Sequence, residues 1–81
     1  MSAMLIGSIG VGLLLVAFGL NLLRKLSESS PVYLAMNGVG ALMAAWYALD
    51  GGIIPFVILE LVWATTALVR LLIVIKKGSP A

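Results

Sequence analysis

Apolar residues fall into three long stretches along the chain, and most of the charged residues lie between or after them. The stretches cover about residues 4–23, 31–49 and 53–75. A helix of about 20 residues rises about 30 Å, the thickness of a bilayer's hydrocarbon core. The pattern therefore predicts an all-α integral membrane protein whose three transmembrane helices form one module over residues 1–81.

The polar residues between the stretches carry signals for helix ends. Ser29 or Ser30 is positioned to cap the second helix, and Pro31 suits its first turn, where no amide donor is needed. Gly51 or Gly52 is suited to the left-handed residue that ends it. The connection to the third helix is so short that the last two helices form an antiparallel hairpin.

The basic residues predict an orientation. Arg24 and Lys25 follow the first stretch, and Lys76 and Lys77 follow the third, so an odd number of spans puts both pairs on one side. Cytoplasmic segments of membrane proteins carry the excess of Lys and Arg. We expect the first loop and the C-terminus in the cytoplasm and the N-terminus outside.

The composition of the chain excludes several kinds of functional site. The chain is 63% hydrophobic and 10% charged, against about 45–50% and about 25% in soluble domains. It contains no Cys and no His, which removes thiol chemistry, the usual zinc and haem ligands and the commonest general base. The hydroxyl residues have no His to activate them, and the bases flank apolar segments instead of forming a patch. We predict no enzyme activity, no cofactor, no metal and no nucleic-acid partner.

Small and polar residues recur at spacings of three and four along the helices. On the second helix this stripe contains Tyr33, Asn37, Gly40, Ala41, Ala44 and Ala48. On the first helix, Gly7 and Gly12 each follow a small residue four positions earlier. Such stripes mark close backbone approach in lipid. They fit packing within the chain and packing against another protein, and both readings stay open here.

The short hairpin predicts which residues lie at one level. A polar cluster is expected near the cytoplasmic side, made of Asn21, Tyr33, Asn37, Thr66 and Arg70. Trp63 is expected over Gly38 or Gly40. Asn37 is expected to make a hydrogen bond between helices.

Glu60 is an acid within the third apolar stretch, and such residues are functional hypotheses by default. At its level the second helix offers only alanines near Ala41, so no partner within the chain is predicted. We interpret Glu60 as a neutral group that donates a hydrogen bond to another helix, with Trp63 packed one turn on. The alternative is a proton or ion site.

The last two stretches resemble a family of small, uncharacterised bacterial inner-membrane proteins. The shared pattern is Tyr-Leu-x-x-Asn-x-x-Gly-Ala, then a short turn, a Pro, and an acid or amide three residues before a Trp. Here it falls on Tyr33, Leu34, Asn37, Gly40, Ala41, Pro55, Glu60 and Trp63. The resemblance implies a three-helix membrane module in the bacterial inner membrane, and it brings no catalytic assignment.

Two functions remain in view. The first is an accessory or scaffold subunit that packs against a larger membrane complex or its own copies, with lipids as its other neighbours. The second is a small ion- or proton-coupled transporter that uses Glu60, with a rotor ring as a weaker variant because a third span and a sparse glycine pattern do not fit it.

Overall fold

The computed structural model describes residues 2–77, and it is all-helical. Its helices are α1 (Ala3–Leu22), α2 (Pro31–Asp50) and α3 (Ile54–Lys77). All three are long and apolar enough to cross a membrane. Met1 and residues 78–81, which belong to the predicted module, lie outside the described residues.

The observed helices agree with the predicted stretches to within two residues at each end. The largest difference is at the end of α3, which continues through Lys76 and Lys77 instead of stopping before them. Cationic side chains in a last turn interact favourably with the partial negative charge of the helix C-terminus. These two lysines therefore belong to the helix that they were expected only to follow.

Ser30, not Ser29, caps α2. Its hydroxyl accepts a hydrogen bond from the Tyr33 amide at 3.4 Å, and Pro31 occupies the first helical position. The Ser29 hydroxyl instead accepts a hydrogen bond from Arg70 Nη2 of α3, also at 3.4 Å. This exposed contact brings the loop before α2 beside Arg70, seven residues before the end of α3.

The first two helices end in the same backbone motif. At the end of α2, Gly52 has φ +70°, and the Ile53 amide donates to the Ala48 carbonyl at 2.9 Å. At the end of α1, Arg24 has φ 61°, and the Lys25 amide donates to the Leu20 carbonyl at 2.8 Å. This is the Schellman arrangement, which favours glycine at the left-handed position. A residue with a Cβ there costs about 1–2 kcal/mol, so the end of α1 is strained where the end of α2 is not.

α2 is the central helix. It carries eight buried residues, compared with three on α1 and four on α3. α1 and α3 each pack against α2, and within residues 2–77 they do not pack against each other. The three helices therefore leave an open groove between α1 and α3, with α2 as its floor.

Glycines let α1 and α2 approach closely. A Cβ built on Gly10 would lie 2.6 Å from the Gly40 carbonyl oxygen, and one on Gly40 would lie 2.8 Å from the Gly10 carbonyl oxygen. One turn earlier on α1, a Cβ on Gly7 would lie 2.5 Å from the Tyr47 Cβ. The two backbones therefore touch at Gly10 and Gly40, and this contact fixes how α1 crosses α2.

Candidate functional site

A groove lies between α1 and α3, beside several of the polar residues. Its volume is about 520 Å³, and all three helices and the first loop line it. Its lining residues are Phe18, Asn21, Glu28, Tyr33, Leu34, Asn37, Leu59, Val62, Trp63, Thr66, Ala67 and Arg70. Apolar surface predominates, with polar groups concentrated toward the first loop.

The five residues of the predicted polar cluster all line this groove. They are not joined into one hydrogen-bonded network. Asn21 Nδ2 donates to the Leu26 carbonyl at 3.1 Å, and Thr66 Oγ1 donates to the Val62 carbonyl at 2.8 Å. These bonds stay within one helix and its following loop, so the groove is lined by separate polar groups.

Asn37 makes the hydrogen bond that joins α2 to α3 inside the groove. Its side chain is 7% exposed. Its Nδ2 donates to the Tyr33 carbonyl at 2.8 Å, and its Oδ1 accepts from Trp63 Nε1 at 3.1 Å. The amide is therefore oriented by its own helix and presents its oxygen to the indole.

The expected position of Trp63 over Gly38 or Gly40 is wrong. A Cβ on Gly38 would meet Leu68 at 2.6 Å, and one on Gly40 would meet the Gly10 carbonyl of α1. Both glycines thus have other neighbours. The indole N–H needs an acceptor in apolar surroundings, and Asn37 supplies the acceptor.

Changing Trp63 to Phe is expected to lower the free energy of unfolding in mixed micelles by about 1 kcal/mol, the scale of hydrogen bonds between helices in membranes. The ring is kept, and Asn37 Oδ1 loses its donor. Trp46→Phe is the matched control, because this indole is exposed on α2 and makes no interhelical hydrogen bond among the described residues. Equal losses for the two variants would show that the hydrogen bond contributes nothing.

Glu60 lies on the inner face of α3. It shares that buried face with Ala64, Ala67 and Val74, and α3 packs only against α2 within the described residues. The side chain is 6% exposed, and its Oε1 has no hydrogen-bond partner among residues 2–77. Glu60 does not line the groove, although Leu59 and Trp63 beside it do. The carboxyl group is therefore covered by this chain, not presented on an outer face.

The small residues of α1 divide between two faces. Gly7 and Gly10 are buried against α2, while Ser8 is exposed and a Cβ on Gly12 would meet nothing within 4 Å. Ser8 and Gly12 belong to a second cleft of about 390 Å³. We call it the outer cleft, and its lining residues are Met4, Gly7, Ser8, Val11, Gly12, Leu15 and Tyr47.

The remaining candidates form the inner packing of the molecule. Gly40, Ala41 and Ala44 are buried in α2. Gly10 is the residue that sequence reasoning missed as a packing position, although it lies one turn after Gly7 on the same face. Within residues 2–77, no group of three or more His, Cys, Asp or Glu side chains is arranged to hold a metal ion.

These features define a small, all-helical protein with three helices of membrane-spanning length and composition. The chain belongs to an uncharacterised protein family, whose model matches residues 3–78. The expected relation to a small uncharacterised family is thereby confirmed, while the particular residue pattern proposed for it stays a prediction. No significant match was found among curated proteins or among solved structures.

Proposed function

We propose that this protein is a non-catalytic accessory or scaffold subunit of the bacterial inner membrane. It crosses the bilayer three times and packs against a helix of a larger membrane complex or of its own copies. The observation that supports this most strongly is the outer cleft, where Ser8 and Gly12 of α1 lie beside space that the described residues leave open.

The outer cleft has the composition of a helix-packing surface in lipid. Close approach of two helices in a membrane needs small residues at the contact, commonly four positions apart. Gly7 and Gly10 are the small residues at the contact with α2. Ser8 and Gly12 are small residues four positions apart on the more exposed side of α1. Tyr47 of α2 forms one wall of the cleft. A partner helix seated on Gly12 would use surface that the chain itself leaves open.

The charges support an orientation for this subunit. Arg24 and Lys25 lie in the loop between α1 and α2, and Lys76 and Lys77 end α3, so both pairs lie at one end of the bundle. The positive-inside rule favours the cytoplasm for that end. The N-terminus of α1 and the α2–α3 turn then face the outside.

Changing Gly12 to Leu is expected to abolish co-purification of the partner from native membranes in mild detergent, by filling the outer cleft. Gly19→Leu is the matched control, because a Cβ there also meets nothing within 4 Å and Gly19 lies outside the cleft. Neither change touches internal packing, so both variants should keep the unfolding free energy of the wild type. Wild-type protein that purifies as a free monomer without companions would contradict the proposal.

Ion- or proton-coupled transport is the second candidate, and one observation favours it. In the part of the chain that the structure describes, Glu60 Oε1 is buried without a hydrogen-bond partner, as expected of a site that binds an ion or proton. This candidate expects proton-coupled flux in proteoliposomes that Glu60→Gln abolishes. Wild-type vesicles without flux would remove it.

A further inference from the structure

The groove between α1 and α3 has a length and a charge arrangement that the proposed subunit function does not use. It extends along α3 from Leu59 to Arg70, and at about 1.5 Å per residue this is about 16 Å. Its two charged residues, Arg70 and Glu28, lie at the first-loop end, and the opposite end is apolar. A charged opening that leads into an apolar channel is the shape of a site for an amphiphile.

The two charges of the groove are available to a ligand. Arg70 and Glu28 line the same cavity, and within the described residues no ion pair joins them. The polar contact of the Arg70 guanidinium is a long one, 3.4 Å from Nη2 to the neutral Ser29 hydroxyl. Arg70 lies seven residues before the end of α3, about 10 Å along the helix. An arginine at that depth extends toward the phosphate level of a bilayer.

The charges of the groove favour a zwitterionic amphiphile over an apolar partner helix as its occupant. One positive and one negative side chain line the same end of the groove. An apolar helix seated there would remove water from both charges and offer neither a partner. A lipid head group offers a partner to each charge, and its acyl chain is thinner than a helix.

We propose that this groove binds one phosphatidylethanolamine molecule, with its phosphate at Arg70 and its primary ammonium group at Glu28. This inference rests on the membrane insertion that the proposed function includes, and it is independent of the outer cleft. Guanidinium groups bind phosphates through paired N–H donors. The Glu28 carboxylate accepts N–H donors from an ethanolamine ammonium, whereas choline has none to donate. The same carboxylate repels a head group that carries only negative charge.

One acyl chain would follow the apolar part of the groove. Phe18 of α1 lies on one wall, Leu59 and Val62 of α3 lie on the other, and Leu34 of α2 lies at the floor. The Asn37–Trp63 hydrogen bond crosses between α2 and α3 within this lining. Because this bond pairs the Trp63 N–H with the Asn37 carbonyl oxygen, an acyl chain that packs over the two groups leaves neither of them unpaired.

The test is native mass spectrometry of the full chain, exchanged into detergent with phosphatidylethanolamine, phosphatidylcholine or phosphatidylglycerol of identical acyl chains. We expect wild-type protein to retain one phosphatidylethanolamine about two- to fivefold better than phosphatidylcholine, the range for an exposed charge pair. Phosphatidylglycerol should be retained less than either. Equal retention of the first two lipids, or preferred retention of phosphatidylglycerol, overturns the proposal.

Variants of the two charged residues test which part of the head group each one binds. Glu28→Gln should lower phosphatidylethanolamine retention to the level of phosphatidylcholine and leave phosphatidylcholine unchanged. Arg70→Gln should lower both by a similar factor, and Lys76→Gln, outside the groove, should change neither. A preference for ethanolamine that survives Glu28→Gln overturns the assignment, and the wild-type comparison of head groups remains decisive should a variant not fold. Gly12→Leu keeps the groove intact, so lipid retention by that variant separates this proposal from the partner proposal.

Discussion

Changing Gly10 to Ala is expected to lower the free energy of unfolding by about 1–3 kcal/mol, the cost of forcing an extra methyl group into packed surroundings. The new Cβ would lie 2.6 Å from the Gly40 carbonyl oxygen, 2.7 Å from the Met43 Cβ and 2.9 Å from the Ala44 amide nitrogen. These are backbone and inner side-chain atoms that no rotamer change can move. The methyl group therefore fits only if α1 separates from α2.

The separation is measurable because the chain contains no Cys of its own. Spin labels at Leu5→Cys on α1 and Leu49→Cys on α2, both exposed, should give a narrow distance distribution in the wild type and a longer, broader one in Gly10→Ala. Gly12→Ala is the matched control, since its Cβ meets open space. A Gly12→Ala variant that broadens the distribution as much would show that the effect is not the crossing at Gly40.

The three helices were predictable because segments of membrane-spanning length with an apolar composition stand out in a sequence. Apolar stretches of about twenty residues between polar or charged residues locate the helices closely. The observed helix ends differ from the predicted ones by at most two residues. The capping of α2 was predicted as one of two serines and its end as one of two glycines, and Ser30 and Gly52 are the residues used. At these positions the residue type itself indicates where a helix begins or ends.

The interior of the site was less predictable. Helical spacing identified the faces of α2 that pack, but spacing does not tell which neighbour covers which glycine. Gly40 faces Gly10 and Gly38 faces Leu68, so neither was free to receive Trp63. The left-handed Arg24 carries no glycine signal at all. Among residues 2–77, α1 and α3 do not pack against each other, and this creates the groove. That arrangement depends on how both helices cross α2, and a single sequence carries no pattern for it.

Changing Glu60 to Met is expected to raise the free energy of unfolding by about 1–3 kcal/mol, the cost of leaving a buried polar group unpaired. The side chain is almost fully covered, and no described residue makes a hydrogen bond to its Oε1. Met has similar length and flexibility and packs against the same face of α2 without that penalty. Unfolding of the two proteins in mixed micelles gives the difference directly.

Glu60→Gln is the matched control for that measurement. Gln keeps the shape of Glu and a polar end, so this variant should gain little unfolding free energy. The comparison shows whether the gain with Met comes from removing a polar group or from removing an acid. A Met variant less stable than both would show that the carboxyl makes a stabilising interaction, and an ion or proton held there would then be the reason for keeping it. If Glu60→Met raises the free energy of unfolding and wild-type vesicles show no flux, Glu60 lowers the stability of the isolated chain and is not an ion site. Because Glu60 is covered within this chain, a hydrogen bond from a partner helix would not explain that result.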